Sequence, residues 1–462
     1  MKNGTIEFKT LRDVESGLHL SNHVSRSGEF VLVGGMTPHD PDRGTLTTGF
    51  VSLPEDAKRA LAYGIYFVDS QLERVKAQTW QVLSNLSEAL ARCGSSLDRL
   101  VHMRVFLRDI RDEAAVIDVL QRVLGDVPSG EILQAWNPGG PIEMDVQIDG
   151  IAVVDASRKK NISIDAMKPF TAPFAVATRG GDLLFTSCLP GINLGSDTLV
   201  TRLREVPSAE REMAKKAVGP LTPRVESYVA QQLTIWSHFH QILADQNIPR
   251  TNLLWNFAWV SRSMREMADG YTNRMLYETT GSKHCFTSFP VSSLRFPDAL
   301  IEGRIVAVYP NAKQPKTIKT GDHGMSGAYV GAAEGGGLIF TSGEVPVQTE
   351  KGYPIRSAAD LDTDSRRLNF GRWHSDTPIL AQADFVLTKL KKTLEAHGVT
   401  FADVAHQTIY LTNPADYPAV ERIAAMHFGV TLPPTTVVPI HRPSNSPEAL
   451  LEYEVTLSSP AK

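Results

Sequence analysis

The chain repeats itself twice. The segments AQTWQVLSNLSEALARCG (77–94), AQQLTIWSHFHQILADQN (230–247) and AQADFVLTKLKKTLEAHG (381–398) align without gaps at offsets of 153 and 151, each close to a third of the 462 residues. A fixed period constrains the fold more than any single motif, because every copy must form the same unit and bury the same face. The apolar residues recur at helical spacing: Val82, Leu83, Leu86 and Leu90 return as Ile235, Trp236, Phe239 and Leu243, then as Val386, Leu387, Leu390 and Leu394. This predicts three amphipathic helices with equivalent buried faces. Gly94 and Gly398 stand where a helix end requires positive φ, and Asn247, the next best residue there, fills the middle copy.

After each helix comes a β-rich run in register: VHMRVFL (101–107), LWNFAWV (254–260) and AHQTIYL (405–411). Before each helix lies a strand and turn ending at Pro38, Pro190 and Pro346, and each copy closes with a strand, MDVQIDGIAVV, ALIEGRIVAVY and ALLEYEVTL. A second helix is clear in EAAVIDVLQRVLG and YPAVERIAAMHFG and vaguer around MREMADGYTNRMLYE. The expected units are 1–157, 158–312 and 313–462, each of ordinary domain size. Long polar segments at 39–77, 191–229 and 347–380 precede the first helices and read either as functional lids or as solvated insertions with a helix of their own.

With 42% apolar and 21% charged residues the chain reads as globular, and a net charge of −4 offers no basic footprint for nucleic acid or an anionic membrane. A small molecule is the expected partner. Cys93, Cys188 and Cys285 are few and far apart, the first twenty residues carry charge throughout, and no apolar run approaches ~20 residues. These features predict a cytoplasmic protein. No cluster of His, Cys and carboxylates has ligand spacing, so no metal or cofactor is expected.

The turn FTSGEVP, the helix AQADFVLTKLKKTLEAHGVTFADV, the strand HQTIYLTNPADY and the closing PPTTVVPI with SPEALLEYEV resemble the Rid (reactive intermediate deaminase, YjgF-like) family. QVLSNLSEALARCGSSLDRLVHMRVFLRDIRDEAAV in the first copy matches its middle. The resemblance implies an α/β (α+β) fold of three tandem chorismate-mutase-like domains, forming an intramolecular pseudo-trimer around a central barrel, with clefts between neighbours. It implies hydrolysis of small enamines or imines by a carboxylate without a cofactor. It also leaves room for further homo-oligomers.

On this resemblance the catalytic glutamate corresponds to Glu302 and Glu452, and to Gln147 in the first copy. The family's carboxylate-binding Arg is kept in no copy: Ser129 or Gly130, Phe286, and Thr435 followed by Thr436 stand there. Thr435 and Thr436 are therefore expected to line the third copy's cleft beside Glu452, with Ser342, Gly343 and Tyr417 completing the substrate-binding set. Arg111 and Arg265, on the loop after the central strand, are candidate replacement anchors; the bland alternative for a loop arginine is a solvated one. The cluster Arg366, Arg367, Arg372, Trp373 and His374 is a candidate cap for one cleft. Cys188, which replaces the glycine of the turn, and Cys285 read as small buried residues. Alternatives to an imine deaminase are a chorismatase-like hydrolase, an aminomuconate-type deaminase, and a non-catalytic scaffold favoured by the missing Arg.

Overall fold

The computed structural model describes residues 6–9, 21–62, 70–135, 143–217, 223–264, 283–312, 315–318, 330–348, 353–361, 378–429, 431–441, 443 and 448–460. The vaguer second helix of the middle copy, Arg265 and the cluster from Arg366 to His374 lie outside them.

The first sheet contains β1 (Glu7–Lys9), β2 (Val24–Ser27), β3 (Phe30–Met36), β4 (Leu100–Leu107), β5 (Ser129–Gln134) and β6 (Val146–Val153), ordered β1-β2-β3-β6-β4-β5. Helices α1 (Ser70–Arg92) and α2 (Glu113–Leu124) belong to this repeat. The second sheet has β7 (Lys159–Ile162), β8 (Ala177–Gly180), β9 (Leu183–Thr186), β10 (Leu253–Ser261), β11 (Cys285–Val291) and β12 (Ile301–Val308) in the same order, with α3 (Pro223–Asp245). The third has β13 (Lys316–Ile318), β14 (Ala332–Gly335), β15 (Leu338–Thr341), β16 (Val404–Leu411), β17 (Thr435–Pro439) and β18 (Leu451–Ser458), with α4 (Pro378–His397) and α5 (Tyr417–Phe428). Pairing is antiparallel apart from β4/β5, β10/β11 and β16/β17, where a parallel neighbour demands a crossover. In the first and third repeats α2 and α5 supply that crossover.

The repeated apolar faces of α1, α3 and α4 are buried in three separate clusters, one beneath each sheet. Gly94, Asn247 and Gly398 end the helices at φ of 77°, 53° and 80°. The long polar segments share a plan as well: each opens with a pair of two-residue strands, and the first two go on to helices Glu55–Ala62 and Ser208–Ala217. One polar side chain of each long helix reaches back towards the proline turn. Asn85 donates to the carbonyls of Thr37 and His39, His238 bonds to the backbone of Ile192 and Pro190, and Lys389 pairs with Glu344.

The central barrel expected from the resemblance is not formed. The sheets stay open and separate, two of six strands and one of seven, the seventh being the short Leu189–Pro190 strand that pairs with β12. Their inner faces instead meet in a fourth cluster drawn from all three repeats, including Phe30, Phe106, Phe185, Trp255, Phe340 and Tyr410. Large aromatic side chains fill the space between those inner faces, and the edges of neighbouring sheets approach without forming a continuous ladder. Neighbouring edges touch at isolated points: a bridge from Ser21 to Leu432, one from Gln134 to Ser293, and a bond from the Cys188 N–H to the Gly130 carbonyl.

Phe257 is fully buried in this shared layer, in ring contact with Trp255, Trp259, Phe289 and Tyr410. Phe257→Ala should cost about 3–5 kcal/mol in urea unfolding. If the layer joins the repeats, the loss will appear in a single transition of the whole chain and not in one third of it.

Candidate functional site at the seams between repeats

Each seam sets a parallel edge strand of one repeat against the proline turn of the next. Gly130, Phe286 and Thr435 occupy equivalent positions on those edges. At two seams a turn serine makes the join. Ser187 Oγ accepts from the Gly130 N–H at 2.9 Å and donates to the Ala175 carbonyl, and Ser342 Oγ accepts from the Phe286 N–H at 3.0 Å and donates to the Val330 carbonyl. At the third seam Gly34 stands in the serine's place, where a Cβ would come within 2.7 Å of the Thr435 nitrogen. The seams therefore run from repeat one to two, two to three, and three back to one.

One residue further along each turn lies the side chain carried over from the family. A Cβ on Gly343 would come 1.8 Å from Glu452 Oε1, and one on Gly35 would come 2.3 Å from Gln147 Nε2, so both side chains lie directly on glycine backbone. In the middle repeat Cys188 supplies a real side chain at that place. Glu302 there accepts from the Phe296 N–H at 3.0 Å, on the loop that follows β11. Burial pushes the Glu302 carboxyl up to about 7; Glu113 and Glu131 push the same way, opposed by the Phe296 N–H and Arg295. Arg295 straps this seam, binding Glu113 of the first repeat and the carbonyls of Phe170, Thr171 and Ala172.

Thr435 and Glu452 lie on different seams. Thr435 faces Gly34 and accepts from Gln407 Nε2 at 2.6 Å, whereas the Glu452 seam presents Phe286 and Thr287, whose hydroxyl accepts from the Gly343 N–H at 3.1 Å. Thr436 is fully buried, donating to Asp149 at 2.7 Å, on the inner face of the molecule. Tyr417 groups with Thr435 and Ser21, and its hydroxyl donates to Glu421 at 3.0 Å. Arg111 points into solvent, its side chain 86% exposed and paired with Asp109 two residues away. Burial pushes both thiols well above their usual range, and Cys285 donates to the Phe340 carbonyl.

Sequence reasoning passed over Arg295, Glu113 and Glu131. Only Glu131 had a readable signal: it stands where the other repeats have Thr287 and Thr436, an exception visible once the repeats are aligned.

Glu302 is 3% exposed, and its raised pKa makes ionisation unfavourable to the folded state. Below the usual carboxylate value of 4.5 both states are protonated and the penalty is absent; it grows with pH and is complete above about 7. The shift corresponds to about 3 kcal/mol. Glu302→Gln should therefore gain stability over the parent as pH rises from 4.5 to 8, with little difference at pH 4, in urea titrations across that range.

A family model described as endoribonuclease L-PSP matches residues 68–154 and 322–457. Among curated proteins, a RutC family protein of Pyrococcus horikoshii is 25% identical over 116 residues, which is 25% of this chain and 76% of that protein. Protein mmf2 of Schizosaccharomyces pombe is 37% identical over 78 residues, 15% of this chain and 61% of that protein. Among solved structures, a chorismatase aligns over 78% of this chain and 93% of its own, at 12% identity and a TM-score of 0.45. The expected cytoplasmic placement is contradicted by the Schizosaccharomyces pombe relative, since mmf2 is a mitochondrial protein. No helix among the described residues is long and apolar enough to cross a membrane. The two matched segments and the sheet order common to all three units lead to one conclusion: this chain has a YjgF/Rid-like fold, carried by repeated sheet-and-helix units consistent with tandem Rid-like domains.

Proposed function

We propose that the chain is an enzyme, a hydrolase of the deaminase type that converts small imine or enamine carboxylates to carbonyl compounds and ammonia in the seams between its repeats. The family similarity supports deaminase or hydrolase chemistry on small nitrogenous intermediates. The observation that carries the finer reading is Glu302, a buried carboxyl at a seam with its pKa near 7, where both protonation states are populated at neutral pH.

An imine carbon is already electrophilic, so the site must position water and move protons. As ionised Glu302 takes a proton from the attacking water, oxygen bonds to the imine carbon, and the carboxyl passes that proton on to nitrogen, giving a carbinolamine and leaving Glu302 ionised again. The carboxyl then relays the hydroxyl proton to nitrogen, the carbon–nitrogen bond breaks, and ammonia leaves with a carbonyl in its place. Glu452 takes the same part at the next seam, while the Gln147 amide cannot accept a proton as a carboxylate does and leaves the third seam without a base.

Glu302→Gln and Glu452→Gln should each lower ammonia release from short-chain imino acids by about 10²–10⁴ at its own seam, so a single variant keeps the other seam's share and the double variant shows the full loss. The rate should rise with pH around 7 while Glu302 carries the flux. If the double variant turns over imino acids like the parent, the carboxylate mechanism fails. A second reading, a chorismatase-type hydrolase, draws on the fusion of all units in one chain. Turnover of chorismate in place of imino acids, lost in the same variants, would select it.

A further inference from the structure

Where the inner faces of the three sheets meet, residues of all three repeats line a cavity of about 40 Å³. A buried water needs ~10–15 Å³ of such space, so it has room for roughly three waters or one molecule of similar bulk. Most of the charge in its wall is satisfied internally. Asp149 is held by Arg104 and by the Thr436 hydroxyl, and Glu454 accepts from Tyr410 at 2.7 Å and Thr287 at 3.0 Å.

Arg304 is different. Its Nε donates to Glu131 at 3.1 Å and its guanidinium lies over the rings of Trp255 and Phe257, at 4.5 and 4.9 Å. Among the described residues Nη1 and Nη2 make no hydrogen bond, although the side chain is only 3% exposed. Such a fork, buried and half used, fits the two oxygens of a carboxylate.

His102, also in the cavity wall, supplies the complementary group. Its Nδ1 lies 3.2 Å from Ser129 Oγ, whose own proton goes to the Val101 carbonyl at 2.8 Å. Nδ1 must therefore carry the hydrogen, which leaves Nε2 as a bare lone pair. That atom is buried and has no hydrogen-bond partner among the described residues. A buried acceptor left in this state is costly, and a ligand that donates to it recovers the loss.

We propose that this axial cavity is a binding site for a small carboxylate carrying one hydroxyl or amine donor, such as a short 2-hydroxy acid. The carboxylate lies on Nη1 and Nη2 of Arg304, and the donor on His102 Nε2. Glycolate has the right bulk and is the probe of choice, with acetate as the control lacking a donor.

Saturation-transfer NMR on the full chain should show glycolate binding roughly tenfold tighter than acetate. Val306→Phe, which fills the cavity without removing a charge, should abolish the signal, and His102→Phe should reduce glycolate to the level of acetate. Glu302→Gln should leave binding unchanged, so the outcome is independent of the chemistry proposed at the seams. The site is refuted if glycolate fails to bind at tens of millimolar, if acetate binds equally well, or if folded Val306→Phe protein binds glycolate like the parent. The first two comparisons need only the parent protein, so a poorly folding variant cannot shelter the idea.

Discussion

The aromatic layer between the inner sheet faces is the contact on which the other features depend. Each sheet has a helix-covered face that closes its own core and a second face that would otherwise meet water. Phe185, Trp255, Phe340 and Tyr410 stand on that second face, and burying four such side chains is worth several kcal/mol at ~25 cal/mol per Å². Around this layer the sheet edges approach without joining into one ladder, which leaves three seams in which turns, edge strands and buried polar groups come together.

Three copies on one chain remove a constraint that a ring of identical subunits cannot escape, because each seam can change alone. The position equivalent to Glu131 shows this. In two repeats it is a threonine whose hydroxyl bonds across the seam, Thr287 to Glu454 and Thr436 to Asp149; in the first it is a glutamate, and the residue opposite it is Arg304. A hydroxyl donating to a carboxylate at two seams has become an ion pair at the other, with the carboxylate moved to the opposite side and both partners replaced together. A buried charge without its partner costs several kcal/mol, so neither half of that exchange is tolerable by itself.

Much of the fold was legible because its signals are local. Helical spacing places Val82, Leu86 and Leu90 on one face whatever surrounds them, and a helix end needs a residue such as Gly94 or Asn247 for purely steric reasons. What was not legible depends on volume and on neighbours. The repeat pattern says that sheets pack together, yet whether they close into a barrel turns on how the edges of different copies meet, which no single copy encodes. It also does not say which repeat's edge meets which repeat's turn. Thr435 and Glu452 belong to one copy and were expected in one cleft, but the ring carries Thr435 forward to Gly34 and brings Phe286 to Glu452's turn.

The middle seam shows how a single atom redirects a site. Glycine at the turn lets the carboxylate of Glu452 rest against the backbone at Gly343, and Cys188 excludes Glu302 from the equivalent place. The Glu302 carboxyl consequently takes its hydrogen bond from Phe296, on a loop that Arg295 straps to the first repeat. Its protonation is therefore set by elements of two repeats: the burial and amide of its own, and the charges of Glu113 and Glu131 from its neighbour. Moving a carboxylate off its glycine has placed it under the control of the seam, and a group so placed can be retuned by substitutions that never touch it.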